Sequence, residues 1–357
     1  MVDEARVLEA LKTVMDPELG RSLVDLGMIK DVKIQGSGVE FTLALTTLAC
    51  PLKDRISGEA EAAVKALDGV DSVTVHLGEM SQDEKQKALG MQTGEKPLAE
   101  TLNDIHHIVA VVSGKGGVGK SLVAGLLAVA LRRKGLRVGV LDADITGPSI
   151  PKMFFTKIAR PQGAPLGIIP PQTSTGIKVM SINLILSNED DAVIWRGPLV
   201  SGAIKQFWSE VFWGDLDYLI VDLPPGTSDA SLTVMQSVPL SGVVLVTSPQ
   251  NLAGMVVRKA AQMAEQLNIP ILGLVENMSY FVAPDTGARY DVFGPSHAES
   301  VARKVGTEFL GRLPIDPRIA VWSDEGHIEE ASVEAFDAIV EKLLKVMPEG
   351  KCKPVFK

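Results

Sequence analysis

The feature that most constrains this chain is the glycine-rich run Ser113 to Ser121, which reads SGKGGVGKS. It meets the pattern G-x-x-x-x-G-K-S/T directly after an apolar stretch and directly before a helical one, Leu122 to Arg133. In such a loop, backbone N–H groups and the helix N-terminus bind phosphate oxygens. The run therefore predicts a P-loop that binds ATP through Gly114, Lys115, Gly116, Gly117, Val118, Gly119, Lys120 and Ser121.

Two residues of this run have predicted chemical roles, and an acidic residue joins them. Lys120 is expected to bridge the β- and γ-phosphates, while Ser121 ligates Mg²⁺. Asp222 closes the apolar stretch that begins at Tyr218, as a Walker B carboxylate does, and is expected to hold magnesium mostly through water. An ordinary strand-end cap is the alternative for Asp222. The expected cofactors are ATP and Mg²⁺, and the expected activity is ATP hydrolysis.

The first 77 residues read as a small α+β unit. Apolar residues recur at helical spacing in residues 4–15, strands are predicted at 28–34 and from Val39 to Leu45, and Pro51 begins a second helix. A third strand follows at residues 73–77. Residues 78–103 are polar, without a sustained period, and are interpreted as a linker. The predicted order is helix, strand, strand, helix, strand.

Residues 104–357 alternate continuous apolar runs with helical stretches. The runs are Ile108 to Val112, Arg137 to Asp142, Tyr218 to Asp222, Gly242 to Thr247 and Ile271 to Val275. Such runs favour a mostly parallel sheet that is buried on both faces and flanked by helices. The predicted fold is an α/β P-loop NTPase, with an irregular surface excursion at residues 155–176.

Composition limits the partners. A net charge of −9 argues against a nucleic-acid partner, because binding to phosphate backbones relies on clustered Lys and Arg. The longest apolar run, Leu122 to Leu131, is too short to span a bilayer, and residues 1–4 lack the layout of a signal peptide. We therefore expect a cytoplasmic protein without a membrane partner.

The chain has two cysteines, Cys50 and Cys352, which provide no disulfide framework.

The loop resembles the deviant Walker A signature of the MinD/ParA-like ATPases, because Lys115 follows its first glycine. The resemblance implies a nucleotide-sandwich homodimer in which Lys115 reaches the partner's nucleotide. It also implies that Asp144 orients the attacking water and that Gly226 senses the γ-phosphate. A strand-end cap remains the alternative for Asp144. Asn277 and Asp316 resemble the family's adenine contacts, although both also suit ordinary turns.

A narrower resemblance is to the Mrp/ApbC family of iron–sulfur cluster carrier ATPases, over residues 104–345. The motifs DITGPS at Asp144, WRGP at Trp195, DLPPGTSD at Asp222 and ENMSY at Glu276 carry it. Residues 16–18, 23–27 and 46–51 resemble the SufT-type iron–sulfur assembly domain. The resemblance implies binding of a 4Fe-4S cluster and its transfer to apo iron–sulfur client proteins.

One departure from that family concerns the cluster ligands. The family usually has a Cys-Pro-x-Cys pair after the equivalent of Phe281, but this chain has Ala283 and Thr286 at the two cysteine positions. Thiolates cannot hold a cluster there. Cys50, before Pro51 at a predicted helix start, is the remaining iron–sulfur ligand candidate, and a small buried side chain is its alternative. Cys352 is interpreted as a tail residue.

Three functional hypotheses follow. The leading hypothesis is an ATP-hydrolysing iron–sulfur cluster carrier. A nucleotide-switched adaptor for the same clients, which holds no cluster, is the second. The third is a MinD/ParA-like scaffold, but residues 332–347 carry mixed charge rather than the basic amphipathic face that membrane binding requires.

Overall fold

The computed structural model describes ten stretches of the chain: residues 2–16, 21–45, 53–81, 84, 102–145, 147–157, 159–164, 167–186, 197–331 and 334–350. The chain divides into two compact units, Met1–Glu95 and Lys96–Lys357. This division lies within the predicted linker. The predicted boundaries after residue 77 and before residue 104 stay predictions.

The small unit has the predicted order of elements. They are α1 (Glu4–Lys12), β1 (Ile29–Gln35), β2 (Gly38–Leu45), α2 (Lys53–Lys65) and β3 (Ser72–Glu79). β1 and β2 pair antiparallel, whereas β2 and β3 pair parallel. The alternating residues Val39, Phe41 and Leu43 of β2 are buried against the two helices, which confirms that this face belongs to a core.

The large unit is built on one extended sheet. Its strands are β4 (Asp104–Ser113), β5 (Val138–Asp142), β8 (Lys178–Met180), β9 (Asp215–Asp222), β10 (Gly242–Thr247), β11 (Ile271–Val282), β12 (Arg289–Tyr290) and β13 (Phe309–Ile315). The order is β12-β11-β10-β4-β9-β5-β8, and β13 pairs with β11. Among the described strands, only β12 runs antiparallel to its neighbour within this sheet. The predicted mostly parallel sheet is therefore confirmed.

Helices flank the sheet. They are α3 (Lys120–Arg133), α4 (Ile150–Phe154), α5 (Gly197–Ser209), α6 (Asp229–Ser237), α7 (Asn251–Gln266), α8 (Ala298–Val305), α9 (Pro317–Glu325) and α10 (Glu334–Val346). Two separate apolar clusters form, one with α3 and α10 and the other with α5, α7 and α8. The strands between them are buried on both faces, as their continuous apolar runs predict.

The excursion at residues 155–176 is more ordered than the sequence suggests. It contains a short antiparallel hairpin, β6 (Gln162–Ala164) and β7 (Gly167–Ile169). Its described prolines, Pro161, Pro170 and Pro171, lie outside the two strands, where they break no ladder hydrogen bond. No described helix has both the length and the apolar content needed to cross a bilayer.

The order of the strands places the candidate ligand-binding residues at one edge of the sheet. β4 lies between β10 and β9, and β9 lies beside β5, with all four strands parallel. Their carboxyl ends therefore meet at one edge of the sheet, where ligands collect in open α/β sheets. Asp142 and Asp222 are register partners at this edge, and Ser113 ends the strand next to them.

Candidate nucleotide site

The glycine-rich run forms the turn between β4 and α3, the position that the sequence predicts. Gly117 and Gly119 have φ values of 79° and 76°, in the left-handed region that favours glycine. Gly119 is the N-cap of α3 and makes no side-chain cap. The N-terminus of α3 therefore has N–H groups and a positive dipole end available for a phosphate.

Two of the glycines are also required by close packing. A β-carbon on Gly114 would overlap the backbone of Val256 in α7, and one on Gly119 would overlap the side-chain amide of Asn277. Asn277 is 2% exposed and donates from Nδ2 to the Val118 carbonyl at 2.9 Å. The structure thus places Asn277 under the loop, where it fixes the loop's curvature. Its predicted adenine contact stays a prediction.

Lys120 and Asp222 form a buried ion pair. Lys120 Nζ lies 2.5 Å from Asp222 Oδ1 and 3.3 Å from Ser121 Oγ, and the two paired side chains are 6% and 0% exposed. Burial raises the pKa of Asp222, and the Lys120 ammonium partly opposes that rise. The three predicted residues for the β- and γ-phosphates and for magnesium are thereby brought together.

The donor set fits a hard divalent cation. Asp222 Oδ2 is buried and accepts no hydrogen bond from the described residues, and Ser121 presents its hydroxyl beside the same carboxylate. An unpaired buried carboxylate oxygen is costly unless a ligand satisfies it. Carboxylate and hydroxyl oxygens suit Mg²⁺, which keeps several of its waters in such sites.

Asp144 lies just beyond Asp142 at the end of β5 and is 8% exposed. Asp142 is fully buried, and its Oδ1 accepts from the Asp144 N–H at 3.2 Å. Its Oδ2 accepts from the Ile150 N–H and from Ser181 Oγ, both at 3.2 Å. Burial, reinforced by the nearby Asp222, raises the pKa of Asp142 well above its usual range. Asp142 therefore ties both ends of the Asp144 loop to the sheet.

The segment after β9 lies against the P-loop. Gly226 has a φ of 80° and donates its N–H to the Ser113 carbonyl at 2.8 Å. Ser228 then caps α6 by accepting from the Ser231 N–H at 3.3 Å. Gly226 thus lies beside the P-loop, with its N–H donated to Ser113. Its predicted role as a sensor of the γ-phosphate stays a prediction.

Lys115 forms a hydrogen bond with a residue outside the P-loop. Its Nζ donates to Gln250 Oε1 at 2.5 Å, and Gln250 immediately precedes α7. The lysine is thus held by a residue of its own chain. Its predicted contact with a partner's nucleotide stays a prediction and would require this hydrogen bond to open.

The predicted adenine residue Asp316 has a local structural role. It is the N-cap of α9, and its Oδ1 accepts from the Arg318 N–H at 2.9 Å. The Arg318 guanidinium, 2.7 Å from Oδ2, lowers the pKa of this carboxyl. The carboxylate therefore binds its own helix, and its predicted adenine contact stays a prediction.

The predicted cluster ligand cannot be placed, because both Cys50 and Cys352 lie outside the described residues. The described part of the chain contains no group of three or more His, Cys, Asp or Glu arranged to hold a metal ion. Ala283 and Thr286 occupy the turn between β11 and β12, which the Ala283 N–H closes by donating to the Ala288 carbonyl at 2.9 Å. The two positions at which the family usually has cysteines are therefore held by Ala283 and Thr286 in the β11–β12 hairpin.

Two residues that contact the predicted site residues were not predicted from the sequence. They are Asp142, which binds the Asp144 loop, and Gln250, which binds Lys115. Asp142 is the first of the two acidic residues that follow the apolar run of β5. Nothing in the sequence shows whether its carboxylate binds the following loop or only caps the strand end. Gln250 contacts Lys115 across 135 positions of sequence, so no local pattern could have revealed it.

Two protein families match the chain. Residues 104–347 match the family described as NUBPL iron-transfer P-loop NTPase, and residues 4–77 match the family described as iron–sulfur cluster assembly protein. These matches confirm the resemblance inferred from the motifs of both units.

Relatives match along almost the whole chain. An iron–sulfur cluster carrier protein of Synechocystis is 43% identical over 96% of this chain and 97% of its own length. An iron–sulfur cluster carrier protein of Deinococcus radiodurans is 41% identical over 94% of this chain and 93% of its own length. A nucleotide-binding protein from Archaeoglobus fulgidus, solved with ADP and with cobalt found, is 44% identical, with a TM-score of 0.62 over 69% of this chain and 97% of that chain.

Proposed function

The chain belongs to the family of NUBPL iron-transfer P-loop NTPases, and we propose that it hydrolyses ATP and carries iron–sulfur clusters to apoproteins. The observation that carries the proposal is the buried Lys120–Asp222 pair beside Ser121, at the mouth of a complete P-loop. It is supported by relatives that are named cluster carriers and match both units.

ATP binding follows from the loop. Its N–H groups and the N-terminus of α3 would bind the phosphates, and Lys120 has three donors, of which Asp222 and Ser121 use two. Ser121 and Asp222 would hold Mg²⁺, which supplies charge neutralisation to the β- and γ-phosphates when it is bound.

Hydrolysis requires an oriented water molecule and stabilisation of the charge that develops on the γ-phosphate. We assign the first task to Asp144, which Asp142 holds at the same sheet edge as Asp222. We assign the second to Lys115 of a second copy in a nucleotide-sandwich homodimer. The dimer would thereby couple turnover to the geometry of the subunit contact.

The iron–sulfur cluster is the cargo in this proposal, and Cys50 is its candidate ligand. Anaerobic reconstitution with iron and sulfide should give a thiolate-to-iron absorption band together with bound iron and acid-labile sulfide. Cys50→Ala should remove both signals, whereas the matched control Cys352→Ala should retain them. Wild-type protein that binds no iron in repeated reconstitutions would exclude cluster carriage.

A second candidate is a nucleotide-switched adaptor, or a MinD/ParA-like scaffold, that holds no cluster. The observation that favours it is the β11–β12 hairpin, in which Ala283 and Thr286 provide no thiolate. It predicts ATP-dependent binding of apo client proteins by a protein without iron. Cosedimentation of ATP-loaded protein with lipid or DNA would instead indicate the scaffold.

A further inference from the structure

A cavity lies at the carboxyl edge of the sheet, one strand away from the P-loop. It has a volume of about 280 Å³ and opens between α7 and α8, above the ends of β10 and β11. A space of this size is smaller than the roughly 300–1,000 Å³ of most drug-sized ligand sites, so it suits a small molecule or one side chain. The described residues that carry the argument are Gln250, Arg258, Glu276 and Lys304.

The cavity and the P-loop are on opposite faces of β11. Successive side chains of a strand point to opposite faces, and Glu276 and Asn277 are successive residues. Asn277 reaches the Val118 carbonyl of the P-loop, whereas Glu276 lines the cavity. A ligand in the cavity therefore would not occupy the space above Asn277, so both sites can be filled at once.

The charge of the lining favours an anion. Arg258 and Lys304 contribute two fixed positive charges. Glu276 is the single carboxylate among the described lining residues, and it is 1% exposed. Its Oε2 accepts from Ser279 Oγ at 2.5 Å and lies 3.9 Å from Arg312 Nε, so its charge is already compensated within the protein.

The cavity is connected to the P-loop through α7. Gln250 lines the cavity and accepts the hydrogen bond from Lys115 Nζ, and Val256 packs against Gly114. Arg258 is on the same helix, two residues after Val256. A ligand that draws Arg258 or Gln250 toward itself would thus act on the residues that hold Lys115.

We propose that this cavity binds a small dicarboxylate through Arg258 and Lys304, and that its occupancy shifts Lys115 through Gln250. The planar guanidinium of Arg258 matches a carboxylate in bidentate geometry, and Lys304 provides a compact second charge. Only the effect on Lys115 rests on the function proposed above. Binding itself requires neither hydrolysis nor iron.

Titration calorimetry with glutarate tests the site on the full chain, with saturating ADP and Mg²⁺ so that the P-loop is filled. We expect saturable binding that Arg258→Gln and Lys304→Gln each weaken by about tenfold, the effect of one lost charge-assisted hydrogen bond. Lys259→Gln and Arg303→Gln are matched controls, because they remove neighbouring exposed charges that do not line the cavity. Absent binding, or equal weakening by the controls, would overturn the proposal.

Two further arms identify the source of the carboxylates and test the coupling. A peptide with two adjacent glutamates that binds more tightly than glutarate would indicate an acidic side-chain pair of a partner protein, and weaker binding would indicate a free dicarboxylate. Glutarate should change ATP turnover of the wild type but not of Arg258→Gln. Binding with unchanged wild-type turnover would overturn the coupling to Lys115, while the cluster assay would remain a separate test of cargo.

Discussion

Lys120 Nζ lies 2.5 Å from Asp222 Oδ1, and these two buried side chains join the P-loop to the neighbouring strand β9. The pair does two things at once. It places the ammonium that we propose binds phosphate beside the carboxylate that we propose holds magnesium, and it compensates a charge that would otherwise be buried alone. Removing one partner should therefore affect folding as well as nucleotide binding.

Lys120→Met should destabilise the ATPase unit by about 3 kcal/mol, because it leaves Asp222 buried without its counter-charge. Adding Asp222→Asn should recover much of that loss, although neither variant should bind ATP well. Urea unfolding of both variants and of the wild type measures the effect. A Lys120→Met protein as stable as the wild type would contradict the role of the pair in the fold.

Asn277→Ala should weaken ADP binding by about tenfold, since the loss of one buried hydrogen bond to Val118 relaxes the loop. Asn277→Asp should be no better, because a carboxylate cannot donate to a carbonyl. Calorimetric titration with ADP measures both. If ADP affinity is unchanged while thermal stability falls, Asn277 supports the fold without shaping the site.

Lys115→Ala should lower ATP turnover by about a thousandfold if the lysine acts on the partner's nucleotide, as cations inserted in trans do. Affinity for ADP should change little, because Lys115 points to Gln250 rather than to Lys120 and Ser121. The exposed Lys152→Ala is the control. Steady-state turnover near that of the control would reject the assignment.

Asp142→Asn should reduce turnover more than it reduces ADP affinity, because an amide cannot accept from all three donors that now hold the loop of Asp144. Asp229→Asn, on the exposed first turn of α6, is the matched control. Comparing kcat with KM separates the two effects. A selective loss of affinity at normal kcat would show that Asp142 does not position Asp144.

His107 should make stability depend on pH. Its ring packs on Tyr218 with centroids 5.1 Å apart, and burial, reinforced by the charge of His106, lowers its pKa below the usual 6.5. Between its lowered folded pKa and 6.5, the unfolded chain binds more protons, so stability should fall as the pH is lowered through this window.

His107→Phe should flatten this pH dependence and keep the aromatic contact with Tyr218. Thermal unfolding from pH 7.5 down to pH 5.5 would measure it, with the wild type as reference. If the stability of the variant depends on pH as steeply as that of the wild type, a group other than His107 takes up the protons.

Local signals in the sequence were enough for most of the fold. Continuous apolar runs predicted the strands that became β4, β5, β9, β10 and β11, because burial on both faces removes the need for alternation. The short strands β8 and β12 and the β6–β7 hairpin were not predicted, since two or three residues carry no period. The strand β13 was missed as well, because Pro314 interrupts its apolar pattern.

The sequence by itself determined that this chain has a phosphate-binding loop, with its lysine, its serine and a lysine after the first glycine, because each of these depends on spacing within a single turn. It also determined that residues 283 and 286 cannot ligate a cluster through sulfur. Only the tertiary structure decided that Lys120 pairs with Asp222, that Asn277 supports Val118 and that Gln250 holds Lys115. These contacts join residues more than a hundred positions apart, and they follow from the order and twist of the sheet, which no local pattern encodes.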